Sequence, residues 1–237
     1  MQGKRVVVTG LGMVSPVGLD VDTSWKNICN GVSGAASIES FDTEAFSTRF
    51  SCSVKNFSTD GYIALKDAKR MDLFVQFGMV AGIQAFRDSG LEISDVNNKR
   101  VGCAIGSGIG GIGSIERNTQ LVSASGPRKI SPFFVPGAII NMISGNLSVM
   151  FDMRGPNLAI VTACTSGTHN IGLGARLIAS GDADAMLVGG AEMATTQVGL
   201  GGFAAARALS RRNDDPTAAS RPWDVDRDGF VLGDGAA

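Results

Sequence analysis

The sequence predicts an α/β domain whose sheet is mixed but largely parallel. Short apolar runs such as Arg5–Thr9, Val101–Ile105, Leu158–Val161 and Asp184–Gly189 read as strands buried on both faces. Segments of helical pattern separate them, and this alternation is the mark of a layered α/β fold. The 32 glycines and only 18% charged residues add a compact interior with close backbone packing. A chain of 237 residues suits one large domain or two small ones and buries roughly 70% of its unfolded surface.

Composition narrows the function classes. A net charge of −1 gives no global reason to expect nucleic acid or an acidic membrane as partner. Cys29, Cys52, Cys103 and Cys164 are widely spaced, and the single histidine, His169, cannot complete a zinc site, so no metal is expected. No disulfide framework is expected either. The first residues enter a strand without a signal peptide, and no apolar run reaches membrane-spanning length. The expected location is the cytoplasm.

In chain order, Arg5–Thr9 reads as a buried first strand running into Gly10-Leu11-Gly12. Pro16 and Gly18 interrupt the place where a phosphate-binding helix would continue, and the next helix, Asp22–Cys29, starts too late. Residues 31–60 are a polar surface excursion with short strands. Lys66, Lys69 and Arg70 precede an apolar helix, Phe74–Phe86, with little polar face, so that helix is buried on more than one side. Read alone, the basic cluster is an ordinary solvated face.

Val101–Ile105 leads into Gly106-Ser107-Gly108-Ile109-Gly110-Gly111, a literal GxGxxG. A dinucleotide fingerprint needs a second strand ending in an acid about 20 residues later. Residues 125–129 read Ser-Gly-Pro-Arg-Lys instead, so the glycines are better read as allowing close backbone approach. Ser131–Gly137 is a rigid aromatic loop leading to an apolar helix, Ala138–Met150. A helix reaching about Ala179 follows Cys164, with Gly172, Gly174 and Ala175 permitting close packing. Arg221–Gly229 is a salt-linked corner. Phe230–Ala237 begins a further strand, which reads as a fragment of a longer protein.

The chemistry centres on Gly155–Gly167. A Gly-Pro turn and the β-formers Leu158–Val161 run to Ala163-Cys164, and Thr165-Ser166-Gly167 suits a helix start. Cys164 therefore lies where unpaired N–H groups and the positive end of a helix dipole converge. Such a junction favours an anion, whether a thiolate or the oxyanion of an attacked thioester. A buried structural cysteine is the plainer alternative; the junction favours a nucleophile.

This segment resembles the active-site signature of the β-ketoacyl synthases. VVVTGLGMVSPVG, RMDLF, GSGIGG, SPFFVPG, GGFAAARALS and ASRPWDVDRDGFVLGDGAA are similar to the elongating synthases of type II fatty acid synthesis. Ala-Cys-Thr-Ser-Gly favours the synthase II branch over the Ala-Cys-Ala-Thr-Ser of its sister. The resemblance, from Arg5 to Ala237, implies a thiolase-like α-β-α-β-α fold made of two similar halves. Residues 1–237 would be its first, N-terminal half, cut short before the second. It also implies a homodimer and decarboxylative Claisen condensation. Cys164 would take an acyl chain from acyl carrier protein, and the malonyl-derived carbanion would attack that thioester. No cofactor is implied, because the carrier's phosphopantetheine delivers both substrates.

By the same resemblance, Ile109, Gly199 and Phe203 line the acyl pocket, and Phe134 reaches into that of a partner subunit. Lys66, Lys69, Arg70, Arg128, Lys129 and Arg207 match a basic surface that docks the acidic carrier, which reverses the solvated-face reading. The family's two catalytic histidines and supporting lysine have no counterpart here. His169, five residues after Cys164, lies about 140° around a helix from it, which gives it a structural role. The fragment alone is expected not to complete condensation. A non-catalytic partner resembling the chain-length factors is the alternative, opposed by the intact Cys164. A dinucleotide-dependent oxidoreductase is opposed by the missing acid.

Overall fold

The computed structural model describes residues 4–237. The first helix, α1 (Val21–Cys29), is capped by Asp20, whose carboxylate accepts from the Thr23 N–H at 2.7 Å. Strands β1 (Ala36–Ser37) and β2 (Phe50–Ser51) pair antiparallel within the 31–60 excursion, as expected. The short α2 (Leu65–Ala68) precedes α3 (Leu73–Asp88), which Asp72 caps. Strand β3 (Val101–Gly106) leads to α4 (Ile112–Ser125), α5 (Phe134–Ala138) and α6 (Met142–Phe151). After β4 (Asn157–Leu158) come α7 (Ser166–Ser180), β5 (Ala185–Glu192), α8 (Gln197–Ala205) and β6 (Gly235–Ala236).

The main sheet has the order β4-β3-β5-β6. β3 pairs parallel with β4 and with β5, from Val101↔Ala185 to Gly106↔Gly190, while β6 joins β5 antiparallel. The sheet is thus mixed and largely parallel. Helices α3 and α6 pack on it and on each other, and α7 packs against β3 and β5. Every residue of β3 is buried. The core centres on α3, where Phe74, Val75, Phe77, Met79, Val80 and Ile83 are all buried. Its glycines seat α6 directly, since a Cβ at Gly78 would meet Ile143 at 2.7 Å and one at Gly82 would meet Leu147 at 2.7 Å.

A second cluster joins Ile38, Ala194, Leu200, Leu209 and Leu232, with Phe41, Phe46 and Phe203 against it. It ties the 31–60 excursion to α8 and to Leu209 and Leu232, which flank the salt-linked corner, where Arg221 meets Asp224 at 2.7 Å.

Four expectations need correction. Arg5–Thr9 is neither assigned as a strand nor buried; Val7 and Val8 are 67% and 77% exposed. The segment leads to Val14, which bridges Ala236, and β6 is only two residues long, so this ladder ends before reaching Thr9. The strand before Cys164 is confined to Asn157–Leu158 and is exposed, because β4 is the edge of the sheet. The helix expected over Ala138–Met150 is split. Ile139 is extended, and Gly137 presses against the Arg70 carbonyl, where a Cβ would come within 2.4 Å. The last strand is likewise reduced to Gly235–Ala236, while Phe230 bridges Leu209 and Gly233 bridges Cys52.

Candidate active site at Cys164

The chain reaches Cys164 through a turn built by side chains. Gly155 passes so close to Val101 that a Cβ would lie 2.7 Å from its carbonyl oxygen, and the Pro156 carbonyl accepts from the Cys103 N–H at 2.8 Å. Where the ladder ends, the buried Asn170 of α7 takes over. Its side chain accepts from the Ile160 N–H at 3.0 Å and donates to the Ile160 carbonyl at 3.0 Å. It also donates to the Ser166 carbonyl at 2.7 Å, fastening the approach segment to the helix it precedes.

Ser166 closes the turn. Its Oγ accepts from the Thr162 N–H at 2.9 Å and donates to the Ala163 carbonyl at 2.7 Å. Ala163 takes φ +52°, in the left-handed region that costs a residue with a Cβ about 1–2 kcal/mol. That turn leaves Cys164 exposed immediately before the N-cap of α7, Thr165. The helix start is as expected, whereas the strand already ends at Leu158; Thr165 provides no side-chain cap, because Ser166 is the residue that binds back. His169 Nδ1 lies 2.7 Å from Thr162 Oγ1, in keeping with its structural reading.

The cysteines separate by environment. Cys103 is buried in β3, and burial pushes its thiol up to about 12, which keeps it protonated. Burial also raises Cys52, with Lys55 opposing. Cys29 and Cys164 are exposed. Only Cys164 among the four combines exposure with the helix junction. Among the described residues no group of three or more His, Cys, Asp or Glu is placed to hold a metal.

The glycine loop after β3 packs beside this turn. A Cβ on Gly106 would lie 2.2 Å from the Ile160 carbonyl oxygen, and one on Gly108 would lie 3.2 Å from that of Ala163. The loop's amides do hold an anion, an internal one. The Glu192 carboxylate accepts from Ser107 Oγ at 2.8 Å, from the Gly108 N–H at 2.7 Å and from the Ile109 N–H at 3.2 Å. Burial raises the Glu192 carboxyl above its ordinary range, and these hydrogen bonds oppose the shift. A literal GxGxxG is thus explained without a nucleotide.

The other sequence-selected residues fall into three groups. Ile109 lines an apolar cavity of about 400 Å³ with Ala138–Asn141, Ala159 and Val161. Gly199 and Phe203 lie on α8, with Gly199 buried where a Cβ would meet the Ala194 carbonyl oxygen at 2.1 Å. Phe203 packs edge-on against Phe230 at 5.4 Å, in the second cluster rather than in the Ile109 cavity. Phe134 opens α5 half-buried, and it is Phe133 that carries the local contact, with the Arg70 guanidinium 4.2 Å above its ring.

Lys66, Lys69, Arg70, Arg128, Lys129 and Arg207 are all exposed. Lys66, Lys69 and Arg70 lie on and after α2, while Arg128 and Lys129 form a 3-10 turn between α4 and α5. Arg207 follows α8, and α4 touches α5, α8 and that turn. Sequence reasoning placed Ser166 at a helix start without its role in closing the turn, and did not single out Asn170 or Glu192. Asn170 and Ser166 had a signal in their four- and two-residue spacing from Ser166 and Cys164, but Glu192 lies 84 positions from Gly108.

The family described as "Beta-ketoacyl synthase, N-terminal domain" matches residues 3–237. The 3-oxoacyl-[acyl-carrier-protein] synthase 2 of Vibrio cholerae is 62% identical over 236 residues, which cover 100% of this chain and 57% of that protein. Its counterpart in Coxiella burnetii is 57% identical over 237 residues, with the same shares covered. The chain therefore spans little more than half the length of these relatives. In structure it resembles a β-ketoacyl synthase from Burkholderia phymatum, with a TM-score of 0.88 at 28% identity over 100% of this chain and 58% of that one. It also resembles a type II polyketide ketosynthase solved in complex with its acyl-carrier protein, with a TM-score of 0.82 at 28% identity over 99% and 57% of the two chains. The fold is accordingly that of the thiolase-like ketosynthases, and with the family match running from residue 3 to residue 237, the chain belongs to the β-ketoacyl synthase family.

Proposed function

We propose that residues 1–237 form the N-terminal domain of an elongating 3-oxoacyl-[acyl-carrier-protein] synthase, with Cys164 as its acyl acceptor. The observation that carries this reading is the exposed Cys164 on a strained turn at the start of α7. Its sulfur attacks the thioester of an acyl carrier protein; the carrier's thiol leaves with the proton, and the acyl chain stays on Cys164. A malonyl carrier then loses carbon dioxide, and its carbanion attacks the Cys164 thioester. The sulfur departs and regains a proton as the 3-oxoacyl product forms. The chain's only histidine, His169, bonds Thr162 and takes no part in the decarboxylation on this reading.

Substrates arrive on the carrier's phosphopantetheine and no other cofactor takes part. Lys66, Lys69, Arg70, Arg128, Lys129 and Arg207 steer the acidic carrier, Ile109, Gly199 and Phe203 bound the acyl chain, and Phe134 serves a second subunit. A homodimer is supported by the open edge of β4 and by exposed Leu158, Val161, Ile139 and Val149 around it. The enzyme works in the cytoplasm; no helix among the described residues is long and apolar enough to cross a membrane. The intact Cys164 disfavours the reading as a non-catalytic chain-length-factor partner. The internal carboxylate in the glycine loop disfavours a dinucleotide oxidoreductase.

Incubation with an acyl-thioester and peptide mass spectrometry should place the acyl group on Cys164, and Cys164→Ser should abolish this mark. Acylation of other thiols with Cys164 untouched would remove the reading. The 237-residue chain should give no 3-oxoacyl product. Charge reversal at Arg128 and Arg207 should weaken carrier binding about tenfold and flatten its salt dependence; unchanged binding would rule out this docking surface.

A further inference from the structure

Glu192 occupies a position that ordinary packing does not explain. It ends the central strand β5, where its carboxylate is largely removed from water, and no cation pairs with it among the described residues. Burying a carboxylate is costly unless donors surround it. Here the donors are the Ser107 hydroxyl and the Gly108 and Ile109 N–H groups, and Ser107 Oγ in turn accepts from the Gly110 N–H at 2.9 Å. One carboxylate therefore holds, directly or through Ser107, residues 107–110 of the glycine loop.

That loop is one glycine thick between Glu192 and the turn that bears Cys164. A Cβ on Gly108 would lie 2.8 Å from Glu192 Oε2 and 3.2 Å from the Ala163 carbonyl oxygen. The backbone is clamped between the carboxylate and the residue preceding the nucleophile. The next residue, Ile109, projects into the apolar cavity that Val161 and Ala159 share from the approach to Cys164. On its other side, Glu192 pairs with Gly235, and the neighbouring Asp234 accepts from the Ala194 N–H at 2.9 Å and the Thr195 N–H at 3.1 Å. Those residues lead into α8, which carries Gly199 and Phe203. The glycine loop and the approach to α8 are thus both registered on the end of β5.

We propose that Glu192 is a positioning residue that fixes Ile109 relative to Cys164 and thereby sets which acyl chains Cys164 accepts. It touches no reacting atom. This rests on the acyl-transfer reading above, and it predicts a change in selectivity as well as in rate. Glutamine can keep the arrangement: its Oε1 can accept from Gly108 and Ile109 while its amide donates to Ser107 Oγ. Alanine cannot.

The test compares wild type, Glu192→Ala, Glu192→Gln and Ser107→Ala by two measurements. One is hydrogen exchange of peptides spanning residues 103–112. The other is the ratio of Cys164 acylation rates for a long and a short acyl-thioester, read by mass spectrometry. Loss of charge-assisted bonds in Glu192→Ala should speed exchange at the loop about tenfold or more and shift the ratio about fivefold. Glu192→Gln should return both to within about twofold of wild type, and Ser107→Ala, which keeps the carboxylate in place, should shift both in the direction of alanine. If Glu192→Ala does not fold, the Ser107→Ala and Glu192→Gln pair decides by the same ratio. Loosened exchange with an unchanged ratio, or a glutamine variant as altered as alanine, would overturn the proposal while leaving acyl transfer intact. A wild-type chain that takes neither thioester on Cys164 would instead remove the acyl-transfer reading, and chain selection with it.

Discussion

Ala163 and Glu192 carry opposite kinds of cost at neighbouring points of the site. At Ala163 the backbone is held in a left-handed conformation by bonds from Ser166 to Thr162 and Ala163, and the strain turns Cys164 outward. At Glu192 the cost is desolvation, and it has a pH signature. The folded-state pKa is raised, chiefly by burial, so the folded protein binds this proton more tightly than the unfolded chain does. The associated stability is fully present below the unfolded value and is lost as pH rises through the raised one. Asp234, raised by burial too, acts in the same sense. Asp152, Asp184, Asp224 and Asp228 are lowered, first by hydrogen bonds to Arg154, Arg100, Arg221 and the Arg211 N–H respectively, and act in the opposite sense. Urea midpoints of wild type and Glu192→Gln should therefore converge below about pH 4.5 and separate above it, with the variant the more stable. A difference that does not change with pH would mean the carboxyl is not shifted.

Helix α7 shows how one element serves two surfaces. Gly174 faces the sheet, where a Cβ would come within 2.3 Å of Val188 Cγ1 and 3.3 Å of Met186 Cβ. Gly172 was expected to permit the same close approach, yet a Cβ there would meet nothing within 4 Å. Spacing shows that small residues cluster, whereas only packing shows which of them faces a neighbour. Gly174→Ala should overpack the interface and cost about 1–3 kcal/mol. Gly172→Ala should add about 0.5–1 kcal/mol, because it removes glycine's entropy from a helix interior at no steric cost. Thermal melts of the two variants should move in opposite directions. The split between α5 and α6 is a similar case, since an apolar run from Ala138 to Met150 carries no sign that Gly137 must lie against Arg70.

Across the whole molecule, the site depends on one edge strand reinforced from behind. The β3–β4 ladder covers only Cys103↔Asn157 and Ala104↔Leu158. Beyond it the buried Ser144 of α6 accepts from the Ile105 N–H at 2.9 Å and donates to the Leu158 carbonyl at 2.8 Å, so a helix side chain bridges the two strands. Ser144→Ala should cost about 1–3 kcal/mol by leaving those groups without their partner. Hydrogen exchange should quicken over 157–166 before it does in α3, and equal loosening everywhere would count against this bridge. The exposed basic residues lie on and after α2, on the 3-10 turn and after α8, regions far apart in sequence.

The alternation of apolar runs and helical patterns was enough to establish the α/β class, the long buried α3, β3 and the start of a helix just after Cys164. These follow from local propensity and periodicity, which each residue expresses with its near neighbours. The motifs around Cys164 were enough for the family. Tertiary structure decided what local pattern cannot encode: Arg5–Thr9 lies open because its ladder ends early, and β4 is exposed because it is an edge. It also decided the meaning of GxGxxG, whose anion is a carboxylate 84 positions away brought up by β3–β5 pairing. A glycine loop shows only that amides are free to converge; the fold determines which anion they meet.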